Sequence, residues 1–356
     1  MNKKALIAMS GGVDSSVSAA LMVEKGFDCM GCTMRLYEND MIGEDLFSTC
    51  CSKKDTDDAR AVCERIGIPY QIYHCEAEFT DKVIEPFVQS YERGETPNPC
   101  IRCNRYLKFD ILYNKAREMG YENIVTGHYA RIEERDGHFY LLKARDLNKD
   151  QSYVLYDLTE EQLKHTYFPL GELTKDQVRE IAENNNFVTS HKKESQDICF
   201  VPDGDYAAMI KRYRNKEYEK GNFVDTKGNI LGTHEGIINY TIGQRRGLGI
   251  PADRRLYVVA LNVEKNEVIL GDDEDLFSRE LKIRDFHWIT GDMPKNEVRV
   301  SAKIRYRHKE QPATLVPLSD TEAKIIFDEP QRAFTAGQSA VLYDGDIVLG
   351  GGIITL

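Results

Sequence analysis

An apolar run, Ala5-Leu6-Ile7-Ala8-Met9, breaks directly into Ser10-Gly11-Gly12 and then into a pattern of helical period. A continuous apolar run of this length reads as a buried parallel strand. The glycines let the backbone turn tightly, and a helix opening there points its positive end back at the loop. The spacing predicts that helix from Ser16 to Lys25, with Val17, Ala20 and Leu21 on one face and Gly26 as its stop. Strands are expected over Phe27 to Met34, Ile68 to His74 and Asn123 to Thr126. Between them a helix is predicted from Asp55 to Gly67, where Ala59, Val62, Cys63 and Ile66 share a face, and others around 79–93 and 107–119. Strand and helix alternating this way predict an α/β fold built on a doubly wound parallel sheet. Thr174-Lys175-Asp176-Gln177 fits a capping box opening a helix to about Asn185. Beyond about residue 205 the pattern changes: Tyr257 to Val263 and Glu267 to Leu270 read as a hairpin, and short strands without helices follow from 280. A chain of 356 residues is expected to form two or three domains. The divisions predicted are 1–205 for the parallel sheet, 206–276 for a small mixed α+β domain, and 277–356 for a C-terminal β-barrel.

The loop Ala8-Met9-Ser10-Gly11-Gly12-Val13-Asp14-Ser15-Ser16 lacks both the lysine of a Walker motif and G-x-G-x-x-G spacing. Hydroxyls at Ser10, Ser15 and Ser16, with Asp14, suit a pyrophosphate and its Mg²⁺. Serine and aspartate are also ordinary helix N-caps. Paired glycines directly after an N-terminal strand favour anion binding over a plain turn. The loop resembles the SGGxDS loop of the PP-loop ATP pyrophosphatases, which split ATP into AMP and pyrophosphate while adenylating a substrate.

No apolar run approaches the ~18 residues a membrane span needs, and the charged, apolar start stops short of a signal sequence at Ser10. A cytoplasmic protein without a membrane partner is expected. In a reducing compartment nine cysteines are buried hydrophobes or chemically employed. Cys29, Cys32, Cys63 and Cys75 read as core, because the first two lie three apart on a strand and face opposite ways; Cys50 and Cys51 have no placement. Cys100-Ile101-Arg102-Cys103 follows Thr96-Pro97-Asn98-Pro99 at a loop-to-helix junction, where the helix end and Arg102, Arg105 and Lys108 would lower a thiol pKa. Cys199 lies in Ser195-Gln196-Asp197-Ile198-Cys199-Phe200, after Lys192 and Lys193. Inert thiols, a zinc site lacking its fourth ligand, and redox or sulfur chemistry at Cys103 and Cys199 all remain open at this point. A net charge of −11 speaks mildly against nucleic acid, yet Lys303, Arg305 and Arg307 alternate, so a strand would set all three on one face. Such a face serves a phosphate backbone or simply protects a solvated edge strand.

The phrases TPNPCIRCN, VTGHYAR, LNKDQSYVLY, ESQDICF, IGQRRGLGI and AGQSAVLYDGDIVLGGGII, spread over essentially the whole chain, resemble those of the bacterial tRNA-uridine 2-sulfurtransferases. That resemblance implies ATP held by residues 8–15 with Met34 and Gly127, adenylation of C2 oxygen on the wobble uridine (U34) of tRNA, and loss of pyrophosphate. It implies a persulfide on Cys199 that delivers sulfur, with Cys103 attacking the disulfane to release sulfide or close a disulfide. The sulfur comes from an outside donor. Asn98, Pro99 and Cys100 would lie against the target base, flipped from its stack. His128, Lys149, Asp150, Gln151, Arg305, Tyr306 and Gln338 would contact tRNA, with the central and C-terminal domains contributing. Many members carry aspartate where this chain has Cys100. The change puts that group's acid–base role in doubt and completes a trio, Cys100, Cys103 and Cys199, of the sort that holds a [4Fe–4S] cluster in related thiolases. The rival readings are a different PP-loop ligase, a 4-thiouridine synthase, and a tRNA-binding or redox protein that no longer turns over ATP.

Overall fold

The computed structural model describes residues 3–37, 53–192 and 198–356, so Cys50, Cys51, Lys193 and residues 195–197 lie outside it. The first seven strands are β1 (Lys4–Ala8), β2 (Asp28–Arg35), β3 (Tyr70–His74), β4 (Asn123–Val125), β5 (Ala130–Arg135), β6 (His138–Lys143) and β7 (Thr166–Tyr167). Five of them form a parallel sheet in the order β3-β2-β1-β4-β7. Both faces are covered, as expected. Ala5 and Ile7 pack with α1 (Val13–Glu24) and α2 (Lys53–Ile66) on one side, and Leu6 faces a second core on the other. That second core is supplied by α3, in which segments Glu76–Phe79, Thr80–Ile84 and Glu85–Glu92 run on from one another. It is completed by α4, in which Pro99–Arg102, Cys103–Ile111 and Leu112–Glu118 do the same.

Two helix starts differ from the sequence reading. α1 begins at Val13 rather than Ser16, because Gly12 stays extended and serves as the N-cap. Asp14 and Ser15 therefore belong to the first helical turn. α4 begins at Pro99 rather than near 107. Proline at the first helical position forfeits no hydrogen bond, and the Asn98 side chain caps the turn by accepting from the Cys100 N–H at 3.1 Å. Both cysteines of the C-x-x-C pair thus ride the start of one helix. α5 (Glu160–Lys164) and α6 (Lys175–Asn184) each carry a complete capping box, the second being the one expected at Thr174 and Gln177.

After α7 (Tyr206–Arg214) come β8 (Gly221–Asp225), β9 (Ile230–His234), β10 (Tyr257–Asn262) and β11 (Glu267–Gly271), a sheet ordered β10-β11-β8-β9. The remaining strands are β12 (Phe277–Trp288), β13 (Val298–Lys303), β14 (Gln311–Pro317), β15 (Ala323–Arg332), β16 (Ser339–Asp344) and β17 (Ile347–Thr355). They run β12-β15-β14-β13-β16-β17, and β12 pairs with β17 to close a six-stranded barrel without a free edge. The β5–β6 hairpin, not foreseen from sequence, docks on β17 through Ile347 opposite Leu142, tying the barrel to the first domain. β13 stops at Lys303, so Arg305 and Arg307 are not on a strand and the alternating cationic face does not form. Among the described residues no helix is long and apolar enough to cross a membrane.

Candidate active site

The sheet order reverses between β1 and β4, and a crevice opens there beyond the strand ends. The loops after those two strands meet in it without side chains between them. Gly11 has φ +69°, and a Cβ there would stand 2.3 Å from the Asp55 carbonyl oxygen. A Cβ on Gly127 would stand 2.8 Å from the backbone of Asp14 and Ser15. Neither position admits any other residue without moving backbone. Ser15 Oγ donates to the Gly12 carbonyl at 3.1 Å and accepts from the Ser10 N–H at 3.2 Å, holding the loop in shape. Ser16, expected to face pyrophosphate, is instead fully buried, donating to Gly12 O at 2.8 Å and accepting from Thr189 at 3.0 Å.

Two ion-pair clusters brace the loop. Both Asp14 carboxylate oxygens accept from Lys175 Nζ at 2.8 and 2.9 Å, and Tyr129 donates to the same group at 2.9 Å. Lys192 Nζ donates to Gly11 O at 2.8 Å and to Asp55 and Asp58, each at 2.6 Å. Burial alone would lower the Lys192 pKa, but the two carboxylates hold it above its ordinary value. Nothing local in the sequence marks Tyr129, Lys175, Asp55 or Asp58 as partners of the loop, since they arrive from three separate places, the loop after β4, α6 and, for both aspartates, α2. Lys175→Met removes a buried ammonium and leaves the half-exposed Asp14 carboxylate without its counter-charge. It is expected to destabilise the first domain by about 2 kcal/mol, seen as a fall in Tm.

The crevice is a cavity of about 400 Å³. Every residue from Ala8 to Ser15 lines it, with Met34 and Gly127, the whole set singled out for ATP. Its other walls carry Pro99, Cys100, Cys103, Lys108, His128, Gln151 and Cys199. Cys103 and Cys199, ninety-six residues apart in sequence, therefore share one cavity with the glycine loop. Cys100 is exposed, Cys199 half-buried and Cys103 buried at the cavity wall. The Cys199 carbonyl accepts from Tyr37 OH at 3.0 Å, while the Phe200 ring packs edge-on against Phe79 and Phe87. The four cysteines read as core behave as such: burial pushes Cys29 and Cys75 up to about 11, Cys63 up to about 12, and raises Cys32 as well. His128 is buried, its Nδ1 lies 2.7 Å from Thr126 Oγ1, and burial followed by the charge of Lys108 drives its pKa well below the usual range. It is a neutral imidazole.

Lys149, Asp150, Gln151 and Tyr306 line an adjoining cleft of about 790 Å³, together with Lys143, Lys175, Lys303, Arg307 and Lys309. Asp14 and Gln151 line both spaces, so cleft and cavity adjoin at those two residues. The Asp150 carboxylate is taken up by Ala144 N, Ser152 N and Ser152 Oγ, which makes it a shaper of the turn. Arg305 and Gln338 line neither space. Arg305 turns inward to Ala333 O and Thr335 Oγ1, and Gln338 Nε2 donates to Thr96 O at 2.6 Å, anchoring the stretch before α4 to the barrel. Asn98 lines a third cleft, behind α4, where Pro99, Arg102 and Asp157 also lie.

A parallel sheet with a glycine loop at its switch point and thiols on the facing wall defines a nucleotide-binding protein of the HUP class. Residues 3–203 match the family described as a tRNA methyl transferase HUP domain, 207–272 a tRNA methyl transferase PRC-barrel domain, and 278–354 an aminomethyltransferase beta-barrel domain. The chain is 50% identical to the tRNA-specific 2-thiouridylase MnmA of Clostridioides difficile, over 99% of its own length and 98% of that relative. It is 48% identical to the same protein of Clostridium botulinum and of Acetivibrio thermocellus, over 99% of this chain and 98% and 99% of theirs. It belongs to the tRNA-specific 2-thiouridylase MnmA family.

Proposed function

We propose that this chain uses ATP to replace the C2 oxygen of a tRNA wobble uridine with sulfur. The observation that carries the reading is the shared cavity, which sets Cys103 and Cys199 opposite the glycine loop. The bare amides of the loop and the N-terminus of α1 face an entering pyrophosphate group. The uridine O2 attacks the α-phosphate, the bond to the β-phosphate breaks, and pyrophosphate leaves. Water-stable uridine thereby gains AMP as a leaving group. The terminal sulfur of a Cys199 persulfide, filled by an outside donor, adds to C2 and AMP departs, leaving Cys199 joined to the base through two sulfurs. The Cys103 thiolate then attacks Cys199 Sγ. The sulfur–sulfur bond breaks, its electron pair stays on the sulfur at C2, and a Cys103–Cys199 disulfide forms that a cellular dithiol reduces. Neutral His128 and the exposed Cys100 flank the space for the base.

A cluster-dependent route fits less well. Among the described residues no three His, Cys, Asp or Glu side chains stand where one metal could join them, so no step is derived through a [4Fe–4S] group. Asp14 is likewise committed to Lys175 and Tyr129, so Mg²⁺ would enter with the nucleotide rather than wait on that carboxylate. The lysine-rich cleft beside the cavity is the seat for the tRNA backbone. Arg307 is exposed there, and Arg307→Ala is expected to weaken tRNA binding uniformly and to reduce the slope of log K against log salt by about 1, measured by filter binding over a salt series. The reading as a whole is tested by pyrophosphate release. Release that requires tRNA bearing an unmodified wobble uridine, with 2-thiouridine appearing in the nucleoside digest, is the expected result. Release without tRNA would point to a different ligase, and none at all to a binding protein.

A further inference from the structure

Three cations accompany the C-x-x-C pair in sequence, and the structure sends two of them away. Arg102 donates to Lys82 O at 2.7 Å and lies over the Tyr106 ring at 4.9 Å. Arg105 donates to Gln162 Oε1 at 2.5 Å. Lys108 lines the cavity with Cys103. The helix geometry explains the selection. Cys103–Ile111 is a π-helical stretch of nine residues, in which positions five apart come into register, and such stretches gather at functional sites. In an α-helix five residues would carry Lys108 about 140° round from Cys103. The π register returns it to the same face.

Among the described residues the remaining charges of the cavity are already matched. Asp14 pairs with Lys175 from α6, and Asp55 of α2 pairs with Lys192. His128, following β4, is neutral, and Cys75, following β3, has its thiol pushed up to about 11 by burial. Among the described residues, Cys32, Cys100 and Cys199 complete the titratable groups lining the cavity with Cys103. Among the described residues Lys108 has no anionic partner, although its charge reaches His128.

We propose that Lys108 is a positioning residue for the sulfur exchange, its ammonium serving as the counter-ion that keeps Cys103 a thiolate facing Cys199. The thiol proton passes to solvent and the cation retains the charge. The exchange step itself rests on the function proposed above, but the state of Cys103 can be read without it. Iodoacetamide alkylation of Cys103 in the reduced full-length protein, followed by peptide mass spectrometry across a pH series, reports the thiolate directly. In Lys108→Met the midpoint is expected to rise by about one pH unit or more, roughly a tenfold slower reaction at pH 7. Lys108→Arg restores the profile because the charge returns. An unchanged Cys103 profile in Lys108→Met overturns the proposal, and a loss of pyrophosphate release alone would assign the lysine to the nucleotide instead. If the unaltered protein released no pyrophosphate with tRNA, the functional reading would fail while the alkylation profile still decided the role of Lys108.

Discussion

Cys199→Ser is expected to reduce 2-thiouridine formation by about a thousandfold or more while tRNA-dependent pyrophosphate release stays within roughly threefold of the unaltered protein. The split follows from where the residue is held. Its backbone is fixed by Tyr37 and its neighbour Phe200 is wedged between Phe79 and Phe87, so the loss of one sulfur leaves the cavity wall in place. A serine hydroxyl fills nearly the same space but cannot carry a transferable sulfur. In the proposed mechanism adenylation draws on the glycine loop and the base but not on the Cys199 sulfur, so it is expected to continue. Nucleoside mass spectrometry beside a pyrophosphate assay reads both halves, and undiminished thiolation would remove Cys199 from the chemistry.

Gly11→Ala is expected to act on the opposite half. Its φ of +69° already disfavours a side chain, and the added Cβ would lie 2.3 Å from Asp55 O, 2.7 Å from Asp55 Cα and 2.8 Å from Asp55 C. These are backbone atoms at the start of α2, and Asp55 is also held by Lys192, so nothing yields cheaply. The loop must move, and it takes the Gly11 carbonyl away from Lys192. Strain together with the lost arrangement is expected to cost about 2 kcal/mol or more, roughly thirtyfold in ATP affinity, measurable by equilibrium binding. Adenylation and thiolation would fall together, unlike in Cys199→Ser. ATP binding at full strength would show that the loop does not hold the nucleotide.

The sheet, its helices and the glycine loop were legible because each is written locally: the continuous apolar run from Ala5 to Met9, the shared face of Ala59, Val62, Cys63 and Ile66, the glycines at 11 and 12. The same locality limits what could be read. Pro99 looks like a helix breaker, yet it is compatible with the first helical position once Asn98 caps the turn. This is why α4 begins eight residues earlier than its apolar pattern suggested. The π stretch that follows leaves no mark in composition, and with it the distinction between Lys108 and the two arginines was hidden. Alternation at Lys303, Arg305 and Arg307 suggested one cationic face, but β13 ends at the first of them and Arg305 finds carbonyl and hydroxyl partners inside. Ser16, Lys175 and Lys192 took their roles from residues more than a hundred positions away, Thr189, Asp14 and Asp55, which no local pattern announces. The ATP set was read from the loop and from family resemblance, and all of it lines one cavity.

The decisive measurement is a trapping experiment on Cys103→Ser loaded with persulfide and given ATP and tRNA. If the two thiols act in succession on one sulfur, protein and RNA should accumulate as an ATP-dependent adduct, joined at Cys199 and released by added thiol, because the attack that frees the thiolated base is missing. Normal yields of 2-thiouridine from that variant, with no adduct on a non-reducing gel, would contradict the account.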